Sequence, residues 1–283
     1  MNVLNLVRTM LGSSESNVGS SSALNQLNVA FIVDTTGSMG TFINAARQHM
    51  IAMLRRLTAD AALPIDLHLA VVQYRDHPPQ DRSFVTREHA FTRDLAAVQN
   101  TIAALVPDGG GDAPEAVYDG IQACCERLQW RPHSRRAAVL IGDAPPHGWC
   151  RRGDGPQGAC TCGLTADAAT ALLENRGIIL YALGLTAAVD APFSRLASAT
   201  GGTYFAAYRG QDAMAVLEAL MAREFADLEL DRHVLDAWQK NPTATADDLA
   251  AALEKPPGRV AASLNRLGRR GLLDVAGAAK QLA

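Results

Sequence analysis

Lysine is almost missing from this chain of 283 residues: only three of its 26 basic residues are lysines, and none precedes Lys240. The abundant arginine and alanine are typical of proteins encoded by GC-rich bacterial genomes. The formal net charge is −3, so the chain has no excess of positive charge that would bind nucleic acid along its whole length. Any contact with DNA must therefore be local.

Long apolar runs are also missing. Each run meets a charged residue, a glycine or a proline well before the roughly 20 apolar residues that a membrane helix needs. The first residues, MNVLNLVRTMLGSS, carry no basic leader, and Arg8 interrupts what would be the apolar part of a secretory signal. We therefore expect a soluble cytoplasmic protein with no membrane partner.

Cysteine and aromatic residues are scarce. The five cysteines are an odd number and include the adjacent Cys124 and Cys125, which does not fit the disulfide framework of a secreted domain. Aromatic residues make up 5% of the chain and apolar residues 48%, so we expect reduced thiols and an aliphatic core. The length suits one large domain and one small one.

Strands alternate with amphipathic helices from residue 27 to about 225. The segment LNVAFIVDTT (27–36) is a continuous apolar run, as in a parallel strand that is covered on both faces. Further strands are expected at 65–75, 88–92, 136–145, 178–186 and 203–208. The pattern predicts an α/β fold with a doubly wound, Rossmann-like, mainly parallel six-stranded sheet that has one antiparallel edge strand. Functional residues are then expected in loops at the carboxyl ends of the strands.

The sequence divides into three parts. Residues 1–24 form an amphipathic segment and a Ser-rich linker, residues 25–227 the α/β domain, and residues 228–283 a small helical domain. In the last part, which follows a predicted helical stretch near 211–227, predicted helices at 233–240, 245–254 and 259–270 are separated by short turns. This spacing is typical of a helix-turn-helix or winged-helix-like domain, in which GLLDVAGAAKQLA would be a short wing.

Oxygen-bearing side chains are concentrated in three predicted loops. Asp34, Thr36 and Ser38 alternate directly after the first strand, Asp112 ends a Gly-Gly-Gly-Asp loop, and Asp143 ends the strand AAVLIGD. Mg²⁺ and Mn²⁺ prefer oxygen ligands. These five residues therefore predict an open, acidic metal site.

With these motifs the chain, from residue 27 to about 225, resembles the von Willebrand factor A domain family. The resemblance implies a metal-ion-dependent adhesion site in which Asp34, Thr36 and Ser38 carry the first motif and Asp143 the last. Asp112 stands where integrin-type members have Thr, and a third carboxylate should hold metal more firmly and attract an acidic partner less. The resemblance also implies a non-enzymatic adaptor without a small-molecule substrate, working with a protein partner. Bacterial relatives tend to serve AAA+ ATPase, stress-resistance or defence systems.

A second cluster combines His147 and Cys150 with Cys160 and Cys162 in a Gly- and Pro-rich loop. One histidine and three cysteines can supply the four ligands of a structural zinc ion. Unligated thiols and a reversible Cys150–Cys160 disulfide are the alternatives at this stage.

The third helix of the small domain carries side chains suited to phosphates and guanine edges: Arg259, Asn265, Arg266, Arg269 and Arg270. Residues 231–283 contain eight basic and six acidic residues, which is a small positive excess for a DNA-binding domain. A DNA-binding regulator and a protein-docking or structural module both remain open.

A third interpretation is an Mg²⁺-dependent phosphatase, because FIVDTTGS and LIGDAPPH resemble motifs of haloacid-dehalogenase phosphatases. Two features oppose it. The chain lacks a lysine before Lys240 to balance an aspartyl phosphate, and the second acid of the later motif would fall at His147.

Overall fold

The computed structural model describes residues 23–60, 64–111, 113–149 and 158–273. The predicted amphipathic segment, most of the Ser-rich linker and the wing beyond residue 273 lie outside these ranges.

One six-stranded sheet forms the centre of the fold, in the order β3-β2-β1-β4-β5-β6. Neighbouring strands are parallel except β3, which pairs antiparallel with β2 at one edge. The predicted fold class is therefore confirmed. The strands are β1 (Gln26–Asp34), β2 (Asp66–Tyr74), β3 (Thr86–Thr92), β4 (Arg135–Gly142), β5 (Ile179–Gly184) and β6 (Tyr204–Ala206).

Helices cover both faces of the sheet and continue into the C-terminal region. They are α1 (Gly40–Asp60), α2 (Leu95–Ala103), α3 (Val117–Glu126), α4 (Ala166–Asn175), α5 (Asp190–Ala199), α6 (Gly210–Lys240), α7 (Ala246–Leu253) and α8 (Pro257–Arg269). In the described residues, none of these helices is long and apolar enough to cross a membrane.

The central strand β1 shows why a continuous apolar run was needed. Val29, Phe31 and Val33 pack into the layer of α1, α2 and α6, whereas Ala30 and Ile32 pack into the layer of α3, α4 and α5. Side chains of a strand point alternately to its two faces, and both faces here are dry. The strand therefore carries only apolar residues between Asn28, whose Oδ1 accepts a hydrogen bond from Arg131 Nε (2.7 Å), and Asp34 at the sheet edge.

Helix α6 corrects the sequence interpretation. The helices expected near 211–227 and at 233–240 are one continuous helix of 31 residues, so the expected boundary at 227/228 falls inside it. Its C-terminal part packs with α7 and α8 around a third core. Helix α7 begins with a capping box, a reciprocal pair of hydrogen bonds between Thr245 and Asp248.

Acidic residues on α6 explain this continuity. Asp231 is fully buried and accepts hydrogen bonds from Ser263 Oγ (2.7 Å) and from Arg266 Nε (3.0 Å), and it lies 3.4 Å from Arg270 Nη1. Two turns earlier, Glu224 pairs with Arg135 at the start of β4. Asp231 and Glu224 would otherwise place unpaired charges on the buried face of α6, and arginines of α8 and β4 neutralise them.

We expect Asp231→Asn to lower the free energy of unfolding by about 3 kcal/mol, because breaking a buried ion pair leaves an uncompensated charge. Urea denaturation measures the loss. Asp236→Asn, on the same helix, is the matched control: its contact with Arg232 is at 4.0 Å between half-exposed side chains, and it should cost less than about 0.5 kcal/mol. Equal losses in the two variants would contradict this account of α6.

Candidate metal centre

Asp34 ends β1 in the middle of the sheet, between β2 and β4. It pairs in register with Tyr74 at the end of β2, and the next residue continues that ladder through a hydrogen bond from Thr35 N to Tyr74 O of 3.0 Å. Asp34 has no solvent exposure. The sheet therefore holds this carboxylate at its carboxyl edge with little freedom to move.

The three residues of the first motif come together as the alternation predicted. Oδ1 of Asp34 accepts hydrogen bonds from Thr36 N (2.8 Å) and Thr36 Oγ1 (2.6 Å), and Thr36 Oγ1 lies 3.5 Å from Ser38 Oγ. Thr36 is buried and Ser38 is exposed. The motif thus runs from the buried strand end to the surface.

The glycine-rich loop closes over this motif. The backbone N–H of Asp108 donates to Thr35 O (3.1 Å), and that of Gly37 donates to Gly109 O (3.2 Å). Gly109 and Gly110 both have φ of +75°, and a Cβ on Gly109 would lie 2.0 Å from Asp81 Oδ2. Glycine is required here for conformation and for space. Asp112, the predicted ligand in this loop, lies outside the described residues.

Asp143 follows the end of β4, the strand next to β1. Its Oδ1 and the Oδ2 of Asp34 are buried atoms without a hydrogen-bond partner among the described residues. Buried carboxylate oxygens are normally paired. Two such oxygens beside two hydroxyl groups fit a hard divalent cation, which takes carboxylate, hydroxyl and water oxygens.

The electrostatics of Asp34 agree with this fit. Burial, together with the charge of Asp143, raises the pKa of Asp34 to about 7, in spite of the hydrogen bonds from Thr36. In metal-free protein, a proton thus partly neutralises the carboxylate near neutral pH. A cation at the same place would do so without a proton.

Arg75 directly follows the end of β2 and is buried, with 5% exposure. Its guanidinium donates to Val106 O (2.7 Å), Ser83 Oγ (3.0 Å) and Thr35 Oγ1 (3.3 Å). Arg75 therefore fixes the loops around the motif, and no arginine of the described residues bonds directly to Asp34 or Asp143.

Comparison with known families now gives the identity of the fold. The sequence-family model of the von Willebrand factor type A domain matches residues 28–222. The chain belongs to this family. A second model, described as a winged helix-turn-helix DNA-binding domain, matches residues 227–274.

Similar proteins share only part of this A-domain chain. The alpha-protein kinase vwkA of Dictyostelium discoideum is 28% identical over 122 residues, which are 43% of this chain and 19% of the kinase. The pilus adhesin SpaC of Lactobacillus rhamnosus GG is 14% identical at a TM-score of 0.51, with 72% of this chain and 30% of the adhesin covered. Proximal thread matrix protein 1 of the mussel byssus is 13% identical at a TM-score of 0.49, with 71% and 46% covered. The chain therefore matches less than half of the length of each, and the likeness to the adhesin shows the fold.

The cysteine cluster of the A domain differs from the predicted ligand set. His147 is fully buried and bonds through Nε2 to Asp76 Oδ1 (2.7 Å), and Cys150 lies outside the described residues. Cys160 and Cys162 instead lie beside His77 and Asp119. Neither of these two residues was predicted, because they are more than 40 residues from the cysteines in sequence. The only sequence signal was that His77 follows the carboxyl end of β2.

The predicted DNA-contacting residues of α8 divide into two groups. Arg266 and Arg270 bind Asp231, and Arg270 also donates to the backbone oxygens of His133 (2.9 Å) and Ala23 (2.7 Å). These bonds point both arginines towards the protein, which corrects their expected role as DNA contacts. Asn265 and Arg269 are exposed. The guanidinium of Arg259 is half-exposed, 3.3 Å from Asp227.

The raised pKa of Asp34 predicts a pH dependence of stability in the presence of a chelator. The native pKa of about 7 lies above the ordinary value of 3.8, so the native state binds the proton more tightly than the unfolded state. This contribution stabilises the fold at low pH and is lost as the pH rises through 7. We expect the free energy of unfolding of the wild type, relative to Asp34→Asn, to fall by about 2–3 kcal/mol from pH 5 to pH 8.

Urea denaturation in EDTA at several pH values measures this difference. Asparagine can accept the same hydrogen bonds from Thr36, so the variant keeps the local geometry without the ionisation. A difference that is constant across the pH range would contradict the assignment.

Proposed function

We propose that this chain is a metal-dependent protein-protein adaptor that binds Mg²⁺ or Mn²⁺ at Asp34, Thr36, Ser38, Asp112 and Asp143. The observation that supports it best is a pair of buried oxygens, one of Asp34 and one of Asp143, that have no hydrogen-bond partner in the described part of the chain and lie next to the motif that reaches the surface at Ser38. A divalent cation would neutralise these carboxylates and offer a coordination position to an oxygen ligand of the partner.

The chain's own residues hold and orient this site. Asp34 fixes Thr36 through two hydrogen bonds, the Gly109 region fixes Gly37, and the surface position of Ser38 leaves the site open to a partner. The donors are carboxylates and hydroxyls, which bind cations, and we assign them no catalytic step and no small-molecule substrate. Asp143 and Asp112 add negative charge, which favours metal retention and weighs against a strongly acidic partner.

The proposed setting is a multi-protein system of the bacterial cytoplasm, such as one with an AAA+ ATPase or one for stress resistance or defence. The α/β domain of residues 25–227 would bind the first partner, and residues 228–283 would supply a second contact. Residues 1–24 would serve as a tether. The phosphatase interpretation is not proposed, because neither family that matches this chain is a phosphatase family and the lysine is missing before Lys240.

We expect Ser38→Ala to weaken Mg²⁺ or Mn²⁺ binding in calorimetry by about 10-fold or more, the cost of about one lost ligand interaction of 1.4 kcal/mol. Proteins of the source cell that the wild type captures in Mg²⁺ should be released by EDTA and should not bind Ser38→Ala. Ser198→Ala is the control, since Ser198 is also exposed but lies at the C-terminal end of α5. Metal-independent capture by all three proteins would contradict the adaptor proposal.

A DNA-binding regulator is the second candidate, favoured by the winged helix-turn-helix match over residues 227–274. Asn265 and Arg269 lie exposed on α8, and amide and guanidinium groups read base edges and phosphates. Because Arg266 and Arg270 bind Asp231, the contact set that we propose for DNA is reduced to Arg259, Asn265 and Arg269.

If this candidate is correct, fluorescence anisotropy with mixed-sequence duplex DNA at low salt should detect binding that weakens steeply as salt rises. Arg269→Ala should weaken it and reduce the salt slope by about 1, the effect of one lost phosphate contact. Arg232→Ala is the matched control, because Arg232 is a half-exposed arginine of α6 with a weak partner. Absence of binding at low salt would remove the candidate.

A further inference from the structure

We propose that His77, Asp119, Cys160 and Cys162 bind one Zn²⁺ ion, separate from the ion of the adhesion site. The four residues come from three segments: the loop after β2, the first turn of α3 and the turn before α4. This proposal does not depend on the proposed function, because it uses none of the residues of the Asp34 motif.

The distances already resemble those of a metal site. His77 Nε2 lies 3.0 Å from Cys160 Sγ and 3.1 Å from Asp119 Oδ2, and Cys160 Sγ lies 3.3 Å from the same oxygen. The ligand atoms of all four residues lie within 4.8 Å of one another. Tetrahedral zinc bonds of about 2.0–2.3 Å place ligand atoms about 3.3–3.8 Å apart, so adjustments of about an ångström suffice.

The donor set selects the metal. Two sulfurs, one imidazole nitrogen and one carboxylate oxygen form a mixed set of four ligands, and thiolates favour Zn²⁺ over the hard ions Mg²⁺ and Mn²⁺. Four protein ligands also fill a tetrahedral shell, as in structural zinc sites. The all-oxygen site at Asp34 has the opposite preference.

The backbone of the cysteine turn is shaped for two sulfurs. Cys160 N donates to Leu164 O (2.6 Å) and Gly163 N to Cys160 O (2.9 Å), and Gly163 has φ of +90°, which allows the tight turn. This turn places the sulfur atoms of Cys160 and Cys162 in one group of ligand atoms.

Contacts outside the ligand group also fix the position of His77. Its backbone N–H donates to Asp76 Oδ1 (2.6 Å), the same oxygen that accepts from His147 Nε2. The His77 and His147 rings lie 5.5 Å apart. The buried bond between Asp76 and His147 thus fixes the loop that carries His77, in the way that outer-shell contacts orient metal ligands.

The test uses the full-length chain, reduced and loaded with Zn²⁺, then dialysed and analysed for metal content. We expect one equivalent of zinc, retained in Asp34→Asn and lost in Cys162→Ser, with affinity lowered more than about 100-fold, since changes in the outer shell alone cost about 10–100-fold. Cys162 is exposed, so this variant should fold. Thr161→Val, at the exposed neighbouring position, is the matched control and should keep the ion.

Two further measurements identify the ligands. Co²⁺ in place of zinc should give sulfur-to-metal charge-transfer and tetrahedral ligand-field bands that Cys162→Ser loses and that Asp119→Asn alters. Zinc retained in Cys162→Ser, or lost in Asp34→Asn, would overturn the proposal. So would loss on Cys150→Ser together with retention in Asp119→Asn, because the ligand set would then be a different one.

Discussion

The burial of the Asp34 carboxylate is the constraint around which this molecule is arranged. Parallel strands on both sides leave the residue at the end of β1 no route to solvent, and transfer of an unpaired charge into a protein interior costs several kcal/mol. Thr36 donates two hydrogen bonds to one carboxylate oxygen, and the other oxygen has no partner among the residues that the structure describes. The neighbouring structure has to leave room for whatever neutralises it. Gly109 and Gly110 lack side chains where the loop closes over the motif, and Gly142 lacks one where a Cβ would lie 2.3 Å from the Tyr74 hydroxyl oxygen.

Buried carboxylates have opposite surroundings in two regions of the fold, along α6 and at the carboxyl edge of the sheet. Along α6, Glu224 and Asp231 are buried, and arginines of β4 and α8 bind them directly. These ion pairs neutralise the two carboxylates within the protein and connect the C-terminal helices to the sheet. At the carboxyl edge of the sheet, Asp34 and Asp143 have no directly bonded arginine among the described residues. The guanidinium of the nearby Arg75 donates its hydrogen bonds to loop oxygens instead. A cation site requires carboxylates such as these, whose negative charge no neighbouring arginine neutralises by a direct bond.

The sequence predicted those features that depend on local pattern. Continuous apolar runs identified the parallel strands, because a strand dry on both faces needs no polar position, and the alternation of Asp34, Thr36 and Ser38 identified the motif. The errors arose where distant residues changed the meaning of a local pattern. Two helices were expected where Asp227 and Asp231 interrupt the apolar face of α6, but Arg266 of α8 neutralises these two carboxylates. The same pairing removed Arg266 and Arg270 from the set of side chains that could reach DNA.

The histidine that lies beside Cys160 and Cys162 is another feature that distant parts of the chain determine. In sequence, His147 is the nearest histidine to Cys160, and the order of residues gives no reason to prefer His77. The sheet changes this order, because the loops after β2 and β4 emerge at the same edge with only β1 between their strands. There, three successive residues take different contacts: Arg75 bonds to Thr35, Asp76 to His147, and His77 to Asp119 and Cys160. This short segment therefore joins the adhesion motif to the proposed zinc ligands. Since covalent geometry spaces successive Cα atoms 3.8 Å apart, fixing His77 also restricts where Arg75 and the loop at Thr35 can lie.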